Sequence, residues 1–287
     1  MNSKSTPWQV LLALTFAGVL VPFMSSALNL TLPQLVETFH MSAVVLTLVV
    51  STYLVSTAIF QVPAARIGDI IGRKKVFVAG IAILVVSSIL SAFAWSAFSL
   101  LFFRLLAGIG SACVFGTSSA ILSAVYPAKE RGKALGIYVA TVYAGVAIGP
   151  FFGANYLTWR SAFISGAVIG IPAFITAYAW IKDEWLPADG EPFDYRGSIV
   201  FAAALAGIIL GCSFFPGVWG WAFLIFGLAG MLLCVRMVKK MRYLVSPIVS
   251  VKTTKNTMSS PSITGCNVPT PQIASRKCAH SARPIPS

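Results

Sequence analysis

Long apolar stretches, each closed by charge, proline or glycine, follow one another from residue 8 to residue 238. A helix needs about 20 apolar residues to cross a hydrocarbon core. Eight runs approach that length: residues 8–30, 42–63, 76–95, 98–121, 135–155, 161–181, 197–215 and 219–238. The pattern predicts an all-α membrane protein. The first run, preceded by Lys4 and carrying Ser25, Ser26 and Ala27, could pass for a secretory leader. Its apolar stretch exceeds the usual leader core and seven more spans follow it, so an uncleaved first helix is the simpler reading.

After Arg242 the pattern stops. Between Ser246 and Ser287, Ser, Thr and Pro supply 19 of 42 residues, and no apolar run is long enough to span. Such a segment cannot bury enough apolar surface to offset its ordering entropy. A flexible cytoplasmic tail explains it, and so does a shifted reading frame that replaced further spans. The expected division is a six-helix membrane bundle over residues 1–182, a loop over 183–196, a further helix pair over 197–242 and a disordered tail over 243–287.

Composition supports the membrane reading: 57% of residues are hydrophobic, 10% are charged, and Asp plus Glu number 8. That is too little acidic surface to solvate a globule of 287 residues, which sets aside most soluble enzymes. The net charge of +13 would suggest nucleic acid in a soluble chain. Here the basic residues sit in short clusters between apolar runs, so no nucleic-acid partner is expected and the clusters report topology. Arg66, Arg73, Lys74, Lys75, Lys129, Arg131, Lys133, Lys182, Arg196 and the cluster from Arg236 to Arg242 fall on one side, with Lys4. The opposite loops hold only Arg160. A cell-membrane location with both termini cytoplasmic is the expectation. The five cysteines form no C-x-x-C pair, so neither a zinc site nor any cofactor is indicated.

Four constellations carry candidate chemistry. The segment Ala65-Arg66-Ile67-Gly68-Asp69-Ile70-Ile71-Gly72-Arg73-Lys74-Lys75 follows the second span as a loop, where glycines permit a tight turn. Asp69 can pair with Arg73 or accept bonds from the amide end of a neighbouring helix, forming a latch between helices. An ordinary charged loop would look the same. Arg104, about 9 Å into its span at 1.5 Å per residue, either snorkels to the outer interface or faces a polar cavity on a substrate or proton path. Gly145, Gly149 and Gly153 recur on one helix face beside Pro150, permitting close approach and a bend. Polar residues able to line a cavity are Ser25, Ser26, Asn29, Tyr53, Gln61, Thr117, Ser118, Thr141 and Tyr143, although Ser and Thr in such helices commonly bond back to their own backbone.

The order of these motifs resembles the major facilitator superfamily. Gly68, Asp69, Gly72, Arg73 and Lys74 match its signature between the second and third spans, with Ala65 in place of the first Gly and Ile70 in place of the usual Arg. Arg104 to Ala112 resembles the fourth-span motif, with Ala107 where Gln is common, and Gly145-x-x-x-Gly149-Pro150-x-x-Gly153 resembles the fifth-span antiporter motif, with Ala154 replacing its last Gly. Phe193-Asp194-Tyr195-Arg196-Gly197 resembles the seventh-span opening of the fourteen-span drug/proton antiporter branch, and Asn29-Leu30-Thr31-Leu32-Pro33 echoes its first span, where Met24 replaces a common Asp.

The resemblance implies the amino-terminal six-helix bundle of the major facilitator fold plus two further helices, from a transporter exporting lipophilic drugs or metabolites against protons. Bundle rocking needs two halves. A non-transporting truncated remnant and a half-size subunit that pairs with itself or with a complementing second half therefore remain alternatives. No Asp or Glu falls inside the eight apolar runs, so proton coupling lacks its usual deep carboxylate. His40 and His280 lie outside the runs as well. No nucleophile with its base, metal cluster or carboxylate pair marks a membrane enzyme.

Overall fold

The computed structural model describes residues 5–155, 158–187, 195–213, 217–218 and 220–236. Phe193, Asp194 and the tail over 243–287 lie outside the described residues, as do the side chains of Gly153's neighbours and of Arg196. Among the described residues eight helices form: α1 (Pro7–Phe39), α2 (Ala43–Ile71), α3 (Arg73–Ala92), α4 (Ala97–Val125), α5 (Ala128–Asn155), α6 (Trp159–Trp180), α7 (Tyr195–Ser213) and α8 (Gly220–Arg236). No strand occurs among the described residues.

Local signals fix the helix starts. Pro7, with φ already set for a helix and no amide to leave unbonded, opens α1. Ser42 Oγ accepts the Val45 amide at 3.4 Å at the head of α2, and Ser96 and Ser99 exchange bonds of 3.1 Å at the head of α4. At the head of α6, Thr158 Oγ1 accepts from Ser161 N, while Gln34 Oε1 of α1 accepts from Trp159 N at 2.8 Å. The 33-residue α1 runs through Pro22 and Pro33 and ends where His40 turns left-handed at φ 50°. It therefore continues nine residues beyond the apolar run read from sequence, carrying buried Thr31 and Leu35 into the bundle.

Helix α1 is the hub. It packs against α5 and α6, while α4 packs against α2 and α3, and α3 closes on α6. The most apolar stretch of α1 is 72% buried inside the bundle, whereas α2 buries 17% and α5 22% of theirs. These apolar, unburied helices form a surface suited to lipid or to further helices rather than to water. Among the described residues six helices are long and apolar enough to cross a membrane, which makes the chain a multi-pass membrane protein. The described apolar parts of α7 and α8, Gly197–Cys212 and Gly220–Arg236, are shorter. They pack on each other through small residues: a Cβ added at Gly227 would lie 2.5 Å from Ile208 N. Helix α7 rests on α2.

Candidate functional site

The segment from Ala65 to Lys75 is not the loop that its glycines suggest. Residues through Ile71 complete the last turns of α2, Gly72 alone makes the corner at φ 127°, and α3 begins at Arg73. Only Gly72 needs the conformational freedom of glycine. Gly68 serves a different end: it lets α4 approach, since an added Cβ would sit 2.9 Å from Thr117 Cγ2. Its carbonyl accepts the Gly72 amide at 2.9 Å.

Asp69 meets Arg73 across this corner, with Nε donating to Oδ1 at 2.8 Å. Arg73 Nη1 reaches on to Ala120 O of α4 at 2.9 Å. The amide end of α3, which Asp69 was a candidate to cap, is taken by the segment after α6 instead. Lys74 N donates to Glu184 Oε1 at 2.9 Å, and Arg73 N donates to Trp185 O at 3.2 Å. Glu184 thus places a carboxylate at the positive end of a helix dipole. Lys74 Nζ also lies 5.7 Å from the Tyr178 ring centre. The corner therefore joins α2, α3, α4 and the exit of α6.

A second constellation is a cavity of about 390 Å³ walled by α1, α2, α4 and α5. Among the polar residues expected at a cavity, Ser25, Ser26, Asn29, Tyr53 and Gln61 line it. Thr141 and Tyr143 do not: Thr141 Oγ1 bonds back to Tyr138 O at 2.7 Å, and Tyr143 is exposed on α5. Thr117 and Ser118 likewise return their hydroxyls to α4 carbonyls. Sequence reading missed other wall residues, among them Thr57, Ser111 and Phe115. Ser111 meets the Tyr53 hydroxyl at 3.1 Å, and Phe115, one turn further along α4, adds an aromatic face. The i to i+4 spacing from Ser111 to Phe115 was visible, but a neutral hydroxyl and a ring at that spacing look the same on a packed helix face as on a cavity wall.

Arg104 is buried in the bundle, with 1% of its surface exposed, so it does not snorkel. It also does not line the cavity. Its guanidinium carbon sits 5.2 Å from the Tyr53 ring centre and 5.1 Å from that of Phe163. Two such ring contacts contribute about 0.5–2 kcal/mol each, less than the several kcal/mol an ion loses on burial. Nε and Nη1 make no hydrogen bond to the described residues. The Tyr53 hydroxyl is anchored to Val21 O at 3.0 Å and to Ser111 at 3.1 Å.

On α5, Gly145 and Gly149 face α1. A Cβ at Gly145 would lie 2.5 Å from Val19 O, and one at Gly149 would overlap Ser26 Oγ. The Ser26 hydroxyl is shared between Phe23 O and Gly145 O at 3.3 and 3.4 Å. The helix continues through Pro150 and Gly153 to Asn155. Met24, on the opposite side of α1, fits over Gly166 of α6 and accepts from Ser88 Oγ of α3 at 3.8 Å. This position faces the α3–α6 seam and does not line the cavity.

Residues 14–192 match the family model described as Major Facilitator Superfamily. The chain is 24% identical over 221 residues to the tetracenomycin C resistance and export protein of Streptomyces glaucescens, covering 76% of this chain and 41% of that protein. It is 28% identical over 212 residues to the multidrug resistance protein Stp of Mycobacterium tuberculosis, covering 72% and 39% respectively. Among solved structures, the proton:xylose symporter XylE superposes with a TM-score of 0.55 at 16% identity, over 80% of this chain and 54% of that one. The chain spans less than half the length of the two curated relatives. The family match covers the six-helix bundle, the α2–α3 corner and the cavity together: the chain belongs to the major facilitator superfamily.

Proposed function

We propose that this chain supplies the amino-terminal half of an exporter of lipophilic drugs or metabolites driven by protons, in the cell membrane with both termini cytoplasmic. The observation that carries the reading is the cavity. Its wall sets apolar side chains and the rings of Tyr53 and Phe115 beside polar groups from Ser25, Ser26, Asn29, Thr57, Gln61 and Ser111, a mixture that accepts lipophilic compounds while orienting them. The printed functions of the two relatives, resistance with export and multidrug resistance, support an efflux direction. Within this reading the Asp69–Arg73 corner holds one arrangement of the bundle, Gly145, Gly149, Pro150 and Gly153 seal α5 against α1, and residues 1–182 form the first bundle.

A need for a second half is favoured by the scarcely buried apolar surfaces of α2 and α5. A complementing bundle, from another chain or from a second copy, would close the cavity and supply the deep carboxylate that these spans lack. The test is efflux of a lipophilic cationic dye from cells or proteoliposomes under an imposed proton gradient, with the chain alone and with a co-expressed carboxy-terminal half from a relative. Gradient-dependent efflux that Asp69→Asn and Arg104→Ala both abolish supports the reading. Efflux retained in both variants rejects those residue roles, and no efflux in any combination favours a non-transporting remnant.

A further inference from the structure

The geometry points to Tyr53 as the residue that sets the charge preference of the cavity, because its ring covers Arg104 and withholds a buried guanidinium from anionic compounds. The inference rests on the cavity being the substrate site. One part of Tyr53 lines the cavity while its ring lies 5.2 Å from the guanidinium carbon, which itself does not reach the wall. Hydrogen bonds from the hydroxyl to Val21 O and with Ser111 fix the ring in that place across α1, α2 and α4. Behind it, Arg104 is 1% exposed with Nε and Nη1 unbonded. No carboxylate is present in the apolar runs to neutralise it.

A buried cation with free donors is a binding site for an anion that can touch it, since charge-assisted hydrogen bonds need contact geometry. At longer range its field persists, but an anion that gives up its hydration on entering the cavity recovers it only through such bonds. With the Tyr53 ring in place those donors are out of reach, and the compound meets a neutral aromatic face whose quadrupole favours cations. Replacing the ring with a smaller side chain removes the cover. The cavity then gains an anion subsite built from residues already present, suited to a carboxylate, sulfonate or phosphate on an aromatic body. The Phe163 ring, its centre 5.1 Å from the guanidinium carbon, still contacts Arg104 when Tyr53 is gone.

Equilibrium binding to the full chain in nanodiscs, with empty nanodiscs subtracted, tests this with two matched probes, 1-naphthalenesulfonate and 1-naphthyltrimethylammonium. Wild type is expected to hold the ammonium at least as tightly as the sulfonate. Tyr53→Ala and Tyr53→Leu should each raise sulfonate affinity by about tenfold or more, the range of a recovered charged hydrogen bond, and leave the ammonium no tighter. Tyr53→Phe keeps the ring but loses the hydroxyl bonds to Val21 O and Ser111 that fix it, so its sulfonate gain should be smaller than that of either opening variant. Adding Arg104→Gln to either opening variant should abolish the gain. Unchanged sulfonate binding in both opening variants, or a gain that survives Arg104→Gln, overturns the inference. Wild type binding neither probe contradicts the substrate-site reading, and the sulfonate gain in the opening variants still decides the role of Tyr53.

Discussion

Glu184 closes the amino end of α3: its Oε1 accepts the Lys74 amide at 2.9 Å, and its side chain packs where Gly72 has no Cβ. Two residues more than a hundred positions apart in sequence therefore decide one corner. Gly72→Ala should destabilise the chain by about 2 kcal/mol or more, because φ 127° strains any L side chain and the methyl would overlap Glu184. Glu184→Ala should cost about 1 kcal/mol as a lost cap. Thermal unfolding of both and of the double variant in detergent checks this. The double variant should be less unstable than the sum, since Glu184→Ala removes the overlap and leaves only the backbone strain.

Asp69 and Arg73 form a pair whose side chains are 29% and 17% exposed. Such partly solvated pairs are worth about 0–1 kcal/mol to folding. Asp69→Asn should therefore leave the unfolding midpoint nearly unchanged while greatly reducing efflux in a complemented transporter. A large loss of stability with normal transport per folded molecule would make the pair merely structural.

Glycines along α5 should separate into two classes. Gly145→Ala and Gly149→Ala force a methyl into α1 and should each cost about 1–3 kcal/mol, the range for overpacking. Gly132→Ala and Gly136→Ala meet nothing within 4 Å and should stabilise the helix by roughly 0.5–1 kcal/mol through backbone entropy. Unfolding of the four single variants reads the contrast directly, and equal effects at all four would contradict the α1–α5 packing.

Met24 provides a further check. Because it seats over Gly166 and beside Ser88, Met24→Asp should destabilise the bundle by burying a carboxylate in an apolar seam, while Met24→Leu should cost under about 1.5 kcal/mol. Unfolding midpoints distinguish the two. A stable Met24→Asp chain would place this position elsewhere than the α3–α6 seam.

The helices were legible because apolar length is a strong signal in a membrane: the first six runs each fall within one helix apart from one residue at an end of the second and sixth and three at the end of the third. The α2–α3 corner was legible in its residue types but not in its shape. Glycines at positions 68 and 72 look alike in sequence, yet one permits a turn and the other an interhelical contact, a distinction set by Thr117 of α4. Glu184 was hidden for the same reason, since a cap contributed by a distant segment leaves no local pattern. Arg104 was recognisable as an unusual charge, but its cover of Tyr53 and Phe163 depends on three helices meeting. Among the hydroxyls, only tertiary packing separates Ser26, at the cavity wall, from Thr141, bonded to its own helix.

Lipophilic compounds are expected to bind in the cavity walled by α1, α2, α4 and α5. Photoaffinity labelling of the full chain in nanodiscs with a lipophilic diazirine compound, mapped by peptide mass spectrometry and competed with excess unlabelled compound, tests it most directly. Competable labels are expected on the wall around Val21 to Asn29, Tyr53 to Gln61 and Phe115. Competable labels confined to outward-facing residues such as Phe98, Val168 and Tyr178, with the cavity wall unlabelled, would contradict it.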